Sequence, residues 1–186
     1  MKRTSVKVVV AGGFGAGKTT LVGSVSEIPP LTTEEVMTEA SVGVDDLTGL
    51  EEKTRTTVAL DFGRITINSE LVLYLFGTPG QDRFWFMWDE LAQGALGAVV
   101  LVDTRRLTAS FASIDYFERR EIPFVVAVNT FFGQCDYTDG EIRSALQLNP
   151  EVPLARCDAR RRESSVEVLI GLLRHVLAKL PAPAAP

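Results

Sequence analysis

Cysteine and histidine are scarce in this chain, which has two cysteines and one histidine among its 186 residues. Cys135 and Cys157 lie too far apart for a Cys-x-x-Cys motif, and two cysteines do not build a disulfide framework. This composition fits the reducing environment of the cytosol. His175 lies on a predicted helix near the end of the chain without a second histidine, which argues against a role as metal ligand or general base.

Long hydrophobic runs are also missing. No apolar run reaches the roughly 18 residues that a membrane span needs, and the start of the chain does not resemble a signal peptide. Residue 2 is Lys2 rather than glycine, and no cysteine stands near the C-terminus, so the two common lipid anchors are not expected. We therefore expect a cytoplasmic protein with no direct membrane insertion, which reaches a membrane only through partners.

Basic residues are outnumbered by acidic ones. The formal net charge of −5 argues against a general nucleic-acid binder. Residues 160–162 are three consecutive arginines, which we interpret as a solvated loop before a helix. We therefore expect no nucleic-acid partner.

Apolar strand-like runs alternate with amphipathic helix-like segments along the chain. This alternation predicts an α/β fold with a mostly parallel six-stranded sheet, one antiparallel edge strand and helices on both faces. We expect one domain over residues 1–180 and a flexible tail of proline and alanine over residues 181–186. The predicted strands are 6–11, 56–67, 71–76, 97–102, 123–128 and 152–156. Three predicted helices are 18–26, 108–120 and 164–179. A further predicted helix is capped by Thr138 or Asp139 and runs to Leu148. Residues 28–55 are predicted to form a long connection.

The most informative motif is Gly12-x-x-x-x-Gly17-Lys18-Thr19, which follows the first strand and opens the first helix. This is the phosphate-binding loop pattern, in which backbone N–H groups and the helix dipole face a polyphosphate. Lys18 supplies a positive charge to the terminal phosphates, and the Thr19 hydroxyl is a predicted Mg²⁺ ligand. The motif predicts that a nucleoside triphosphate with magnesium contacts Gly15, Ala16, Gly17, Lys18, Thr19 and Thr20.

A second segment, Gly77-Thr78-Pro79-Gly80-Gln81, resembles the switch II region of Ras-like small GTPases. The resemblance implies a P-loop NTPase with a small-GTPase-like G domain. It also implies that the Gly80 N–H contacts the γ-phosphate and that Gln81 positions the attacking water, so that Gln81 and Lys18 are the catalytic residues. Gly77 replaces an aspartate that normally holds a magnesium-bound water, so the metal environment must be built differently.

The chain is similar to the MglA-like branch of bacterial small GTPases, which shares "PGQ" without that aspartate. The same branch has a Thr-x-x-x-Asp-Phe pattern, matched here by Thr57 through Asp61 and Phe62. The match implies that Thr57 of switch I ligates Mg²⁺, with Thr56 as the alternative. The stretches "KVVVAGGFGAGKTTLVGSVSEI", "TEEVMTEASVGVDDL" and "LVLYLFGTPGQDRFWFMWDEL" resemble the GTPases of actinobacterial conservon clusters. That likeness implies two partners, a roadblock/LC7-type (MglB-like) regulator and a sensor-kinase-like protein.

The base-recognition segments depart from the small-GTPase pattern. Asn129-Thr130-Phe131-Phe132 stands where Asn-Lys-x-Asp is usual, so the carboxylate that selects guanine and the lysine that covers the ring are both missing. Asn129 is retained, and Phe131 or Phe132 can stack on either purine. The last segment, usually Ser-Ala-Lys, is Asp158-Ala159-Arg160, in which the Ala159 N–H can meet the guanine O6. Asp158 or Asp136 either replaces the lost carboxylate or belongs to a capped, solvated loop.

These departures leave the choice of base and the rate of hydrolysis open. GTP or GDP is the expected ligand, with ATP or ADP as the alternative. Phe14 lies where Ras proteins have glycine and obstructs an arginine supplied by a partner, which implies slow hydrolysis unless Arg55 or Arg83 compensates. The aromatic residues at 84, 85, 86 and 88 are partly core and favour a partner surface that reports the nucleotide state.

Three functions remain at this point. The leading hypothesis is a nucleotide-dependent switch with slow hydrolysis, and the alternative is a scaffold that binds nucleotide without hydrolysing it. A phosphotransferase of the nucleotide-kinase type needs an arginine-rich lid, whereas residues 28–55 are mostly apolar and acidic.

Overall fold

The computed structural model describes residues 4–29, 31–33, 60–80, 86–133 and 135–180. The predicted tail, the first three residues and most of the long connection lie outside these ranges. The strands are β1 (Thr4–Gly12), β2 (Leu31–Thr33), β3 (Leu60–Thr66), β4 (Leu71–Gly77), β5 (Ala95–Val102), β6 (Phe124–Asn129) and β7 (Leu154–Cys157). The α-helices are α1 (Lys18–Val25), α2 (Phe86–Ala92), α3 (Phe111–Arg119), α4 (Asp139–Leu146) and α5 (Arg162–Lys179).

The strands form one sheet in the order β2-β3-β4-β1-β5-β6-β7. β1 pairs in parallel with both β4 and β5, and β5, β6 and β7 continue the parallel arrangement. β3 forms a hairpin with β4 and runs antiparallel to it, which confirms the prediction of one antiparallel strand, although β2 and not β3 takes the edge position. The six predicted strands are therefore present. The three-residue β2, which lies in the predicted long connection, extends the sheet by pairing antiparallel with β3.

Helices cover both faces of the sheet, as predicted. On one face, α1 and α5 pack through Leu21, Val22 and Leu172 against alternate valines of β1. On the other face, α2, α3 and α4 pack against the remaining residues of β1, β5 and β6. Because the central strands are buried on both sides, β5 and residues 8–11 of β1 are continuous apolar runs rather than an alternating pattern.

The segment after β5 differs from its prediction. The predicted helix over residues 108–120 begins instead at Phe111, because residues Thr104–Ser110 form 3₁₀ turns. Asp103 caps these turns by accepting a hydrogen bond from the Arg105 backbone N–H at 3.0 Å. The turns are interrupted at Arg106, whose φ of −141° and ψ of 53° are not helical. This interruption places Arg106 at a bend close to the phosphate loop.

The end of the α5 helix matches its prediction, and α4 begins with a capping box between Thr138 and Glu141. None of the helices within the described ranges combines the length and the apolar character needed to cross a bilayer.

Candidate nucleotide-binding site

The phosphate loop lies between the end of β1 and the start of α1. Gly12, Gly15 and Gly17 have φ values of 138°, 75° and 106°, which side-chain-bearing residues rarely adopt. Gly17 is the N-cap of α1, and no side chain caps the helix. The first N–H groups of α1 are therefore left for an anion, as the motif predicts.

Lys18 is held inside this loop. Its Nζ donates hydrogen bonds of 2.8 Å to the carbonyl oxygens of Gly12 and Gly13, and the residue is 8% exposed. Burial lowers the pKa of Lys18 to about 8, although the nearby Asp61 carboxylate opposes the shift. A cation in this position is partly desolvated, so an approaching phosphate stabilises its charged form.

Thr19 and Asp61 form the polar contact beside Lys18. The Thr19 Oγ1 donates a hydrogen bond of 2.7 Å to the Asp61 Oδ2. Asp61 lies on β3 and is the cross-strand neighbour of Gly77 on β4. A Cβ placed on Gly77 would lie 2.9 Å from that same Oδ2. The Asp61 carboxylate thus lies in the space of a side chain at position 77, where the resemblance to switch II would place an aspartate.

The contact between Asp61 and Thr19 was not predicted from the sequence, where Asp61 was noted only as part of the Thr-x-x-x-Asp-Phe pattern. The available signal was the register of the hairpin. Counting back from the turn at residues 68–70 pairs Asp61 with Gly77, and the pair joins a buried carboxylate to a position without a side chain.

The oxygen atoms of Thr19 and its neighbours fit the ligands of a magnesium ion that is bound together with phosphates. Thr19 offers a hydroxyl and Asp61 a carboxylate, and in the residue after Gly77 the buried Thr78 Oγ1 has no hydrogen-bond partner within the described residues. Oxygen ligands of this kind suit Mg²⁺, which keeps several waters and binds through few carboxylates plus substrate phosphates. Within the described ranges, no group of three or more histidine, cysteine, aspartate or glutamate residues could hold a metal alone. The predicted ligand Thr57 lies outside those ranges.

Gly80 approaches the phosphate loop closely. A Cβ on Gly80 would lie 2.6 Å from the Lys18 Nζ and 2.9 Å from the Phe14 Cα. The structure therefore brings the predicted γ-phosphate contact of switch II against the lysine that serves the same phosphates. Gln81, the predicted water-positioning residue, lies outside the described part of the chain.

Asn129 connects the phosphate loop to the loop after β7. Its Nδ2 donates a hydrogen bond of 3.0 Å to the Ala16 carbonyl, and its Oδ1 accepts one of 3.2 Å from the Ala159 N–H. The three predicted contact residues Ala16, Asn129 and Ala159 are thus brought together. The arrangement fixes the relative position of the phosphate side and the base side of the site.

Three comparisons place this geometry among known proteins. Residues 10–179 match the profile of a family described as "Conserved hypothetical ATP binding protein". The chain belongs to this family. It is also 32% identical over 142 residues to the uncharacterized protein MJ1339 of Methanocaldococcus jannaschii, an alignment that covers 75% of this chain and 79% of that protein.

Two solved structures resemble the fold. The G domain of the T. maritima FeoB iron transporter is 18% identical, with 94% of this chain and 98% of that chain covered and a TM-score of 0.59. The Arl6 BBS3 small GTPase of Trypanosoma brucei, solved with the nucleotide analogue GppNp, is 16% identical, with 95% and 100% covered and a TM-score of 0.66. These likenesses confirm the predicted G-domain fold. Together with the family, they make this chain a nucleotide-binding protein with a G domain.

Asp158 is engaged locally by Arg160. The Asp158 carboxylate accepts hydrogen bonds from the Arg160 Nε at 2.8 Å and from one guanidinium NH₂ nitrogen at 2.6 Å. These bonds lower the pKa of Asp158 to about 2. Asp136, the other candidate for the lost carboxylate, is exposed. The arrangement around Asp158 is that of a capped loop, and a contact from its carboxylate to a base stays a prediction.

The aromatic residues near switch II divide between core and surface. Trp88 is 2% exposed and packs on Tyr116 and Phe117, whereas Phe86 is 70% exposed. Phe14 in the phosphate loop is also exposed, at 65%. Residues 84 and 85, and the two arginines considered as internal catalytic groups, Arg55 and Arg83, lie outside the described ranges.

Proposed function

We propose that this protein is a purine-nucleotide switch that binds a nucleoside triphosphate with Mg²⁺, hydrolyses it slowly and binds partners according to the nucleotide state. The observation that carries the proposal is the contact of Thr19 with Asp61 opposite Gly77. A buried carboxylate is costly unless it is paired, and Asp61 is paired with the predicted metal-ligating hydroxyl of Thr19 and lies near the Lys18 amine.

The phosphate side of the site supplies three kinds of group to the nucleotide. The loop glycines and the uncapped start of α1 provide N–H donors, Lys18 provides a cation, and Thr19 with Asp61 holds the metal. Magnesium supplies neutralisation of the phosphate charge when it is bound. Thr19 and Thr57 are its proposed protein ligands, and Asp61 orients Thr19.

The switch rests on the proximity of Gly80 to Lys18. Because a Cβ at position 80 would collide with the Lys18 Nζ, the backbone of switch II lies where a terminal phosphate must be accommodated. We expect the triphosphate and diphosphate states to differ in the position of Gly80 and of the switch I residue Thr57. Gln81 positions the attacking water in the triphosphate state.

The base side supports weak discrimination between purines. The Thr130 hydroxyl donates a hydrogen bond of 3.0 Å to the Cys157 carbonyl, which holds its side chain against β7. The position of the guanine-selecting carboxylate holds Phe132. GTP and GDP are the proposed ligands, and we expect ATP and ADP to bind as well.

Slow hydrolysis follows from the position of Phe14. Its ring is exposed on the phosphate loop, and we expect it to obstruct an arginine entering from a partner, as the resemblance to Ras-like GTPases implies. Such an arginine contributes roughly 10³- to 10⁵-fold in rate, so its exclusion leaves hydrolysis slow.

The MglA-like and conservon resemblances support a place in signalling. A roadblock/LC7-type regulator and a sensor-kinase-like protein are the proposed partners, and the exposed Phe86 at the start of α2 supports a partner surface beside switch II. We propose a cytoplasmic location, with contact to the membrane only through these partners.

The proposal is tested by phosphate release and partner binding together. Purified protein is loaded with GTP or ATP, and phosphate is followed in a single turnover with and without the regulator, for the wild type and for Gln81→Leu. We expect slow release that Gln81→Leu reduces further, and a regulator affinity that differs between the two nucleotide states. If the variant and the regulator leave release unchanged, and the nucleotide state leaves affinity unchanged, the protein is a nucleotide-binding scaffold instead.

A further inference from the structure

A cation is missing from the base side of the site at position 130. Thr130 stands in place of the lysine that small GTPases use there, and its side chain is bonded to the Cys157 carbonyl. A threonine cannot supply the positive charge or the long reach of a lysine. Two arginines from the segment after β5 reach the site from elsewhere in the chain, Arg106 at the phosphate loop and Arg105 at Phe131.

Arg106 reaches the phosphate loop from the segment after β5. One guanidinium NH₂ nitrogen donates a hydrogen bond of 2.8 Å to the Phe14 carbonyl, across 92 residues of sequence. A Cβ on Gly15 would lie 2.7 Å from the same nitrogen. The guanidinium therefore packs directly on the Phe14–Gly15 peptide, in the middle of the predicted phosphate cradle.

The local backbone accounts for this reach. Arg106 has the non-helical φ and ψ that interrupt the 3₁₀ turns, while its own N–H donates to the Asp103 carbonyl at 3.0 Å. The bend is fixed at its start by Asp103, which is 4% exposed and caps the turn. The backbone position of Arg106 is therefore set by the fold, and its half-exposed side chain is held at the loop by the bond to the Phe14 carbonyl.

Asp103 also anchors the neighbouring arginine. Its carboxylate accepts hydrogen bonds from the Arg105 Nε at 2.9 Å and from an Arg105 NH₂ nitrogen at 2.8 Å. The Arg106 guanidinium lies farther away, at 3.9 Å from the same carboxylate. One carboxylate thus neutralises Arg105 by a two-point contact and leaves most of the Arg106 charge directed to the phosphate loop.

Arg105 extends the cluster to the base side. Its guanidinium carbon lies 4.0 Å from the centre of the Phe131 ring, the geometry of a cation–π contact. Phe131 follows Asn129 by two residues, in the segment that replaces the base-recognition motif. Asp103, Arg105 and Arg106 thus link both predicted ends of the nucleotide site, the phosphate loop and the base segment.

We propose that Arg106, acting from the phosphate side of the site, is the residue that sets nucleotide retention in this protein. It holds the Phe14–Gly15 peptide in the phosphate-binding conformation and adds a positive charge beside the phosphates, while Arg105 positions Phe131 on the base side. The inference rests on the proposed nucleotide function. Because Arg106 acts on the phosphate side, its effect extends to purine nucleoside diphosphates and triphosphates of either base.

The test measures the release of fluorescent mant-GDP and mant-ADP from purified full-length protein by stopped flow. The variants are Arg106→Ala, Arg106→Gln and Arg106→Lys, with Arg119→Ala as the control. Arg119 is an exposed arginine on α3 whose ion pair with Asp115 stays within that helix. Circular dichroism and the melting temperature without nucleotide establish that each variant is folded.

We expect Arg106→Ala and Arg106→Gln to release both nucleotides about 10- to 100-fold faster, the range for loss of a charge-assisted hydrogen bond. Arg106→Lys should recover a large part of the retention because it keeps the charge, and Arg119→Ala should behave as the wild type. The difference between wild type and Arg106→Gln should shrink at high salt, because the charge is partly exposed.

Three results overturn the inference. The first is release from Arg106→Ala within twofold of the wild type. The second is an acceleration confined to one base. The third is an Arg106→Lys variant as fast as Arg106→Ala, which assigns the effect to packing instead of charge. If the wild type binds neither nucleotide, the proposed function is overturned and this inference with it. If the wild type binds both nucleotides and Arg106→Ala releases them at the wild-type rate, this inference alone is overturned.

Discussion

The hydroxyl of Thr19 donates a hydrogen bond of 2.7 Å to the carboxylate of Asp61, across 42 residues of sequence. In the phosphate-loop motif this hydroxyl is the magnesium ligand, so the residue that orients it contributes to the affinity for the metal. The carboxylate comes from β3, and its neighbour on β4 is Gly77, the position that the switch II resemblance aligns with an aspartate. We propose that Asp61 takes the place of that aspartate, a strand exchange of one functional group.

Removal of the Asp61 charge should weaken the binding of Mg²⁺ at the nucleotide site. We expect Asp61→Asn to lower the affinity for Mg²⁺ by about 10- to 100-fold, the usual cost of losing a group that orients a metal ligand. The measurement is the rate of mant-nucleotide release as a function of Mg²⁺ concentration. Asp115→Asn, on the exposed part of α3, is the matched control and should leave the midpoint unchanged.

The strand exchange can be reversed by mutation. Gly77→Asp alone places a second carboxylate beside Asp61, where a Cβ would lie 2.9 Å from the Oδ2, and should destabilise the protein by about 1–3 kcal/mol. Adding Asp61→Gly should restore much of that stability, because one carboxylate again faces Thr19. Thermal unfolding of the two single variants and the double variant measures the coupling. A double variant whose loss is the sum of the single losses contradicts the exchange.

Nucleotide affinity should depend on pH through Lys18. The pKa of Lys18 in the free protein is lowered to about 8, and bound phosphates favour the charged amine and raise that pKa. Binding therefore takes up a proton above pH 8, so the affinity should be level between pH 7 and pH 8 and fall at higher pH by up to about tenfold per unit. Titration calorimetry at pH 7, 8 and 9 checks the slope. Lys18→Arg carries a group that does not titrate in this range, and a fall of the same size in that variant would assign the slope to another group.

The same pKa has a consequence for folding. The lowered pKa of Lys18 means that the unfolded chain binds more protons than the folded one between pH 8 and 10.5. The free energy of unfolding of the nucleotide-free protein should therefore gain a favourable contribution from Lys18 as the pH rises through this window. Lys18→Met removes that contribution. We measure the free energy of unfolding by urea at pH 7 and pH 10. The value for Lys18→Met minus the value for the wild type should be larger at pH 7 than at pH 10.

The core under the site sets the stability of the fold. Phe117 on α3 is fully buried and contacts the rings of Trp88, Tyr116 and Phe124. We expect Phe117→Ala to cost about 3–5 kcal/mol in the free energy of unfolding, because it leaves a cavity. Leu177→Ala on α5 is the control, since that side chain is 65% exposed. Urea unfolding of both variants distinguishes the buried ring from the exposed one.

The part of the site that lies in one stretch of sequence was predictable. The phosphate loop is specified by neighbouring residues, since the glycines, Lys18 and Thr19 act within a single turn between a strand and a helix. The six longer strands and their mostly parallel arrangement also followed from alternating apolar runs and helices. The three-residue β2 was missed, because a strand that short has no pattern of its own and forms only by pairing with β3.

The part of the site assembled from distant segments was not predictable in the same way. The role proposed for Asp61 depends on the hairpin register that places it opposite Gly77, and the role proposed for Arg106 depends on the bend after β5 that brings it to Phe14. Sequence reasoning sought an internal arginine at positions 55 and 83, in the switch regions, because those lie next to recognised motifs. Contacts between residues 92 positions apart depend on tertiary structure, and no local sequence pattern predicts them.

The account is tested most directly by isothermal titration of nucleotide-free protein with GDP, GTP, ADP and ATP in the presence of Mg²⁺, for the wild type and for Lys18→Ala. We predict that the wild type binds both guanine and adenine nucleotides, with a preference for GTP well below the roughly 10⁴-fold of a dedicated polar base pocket. Lys18→Ala should lose binding of all four. Undiminished binding by Lys18→Ala, or no binding by the wild type, would contradict the account.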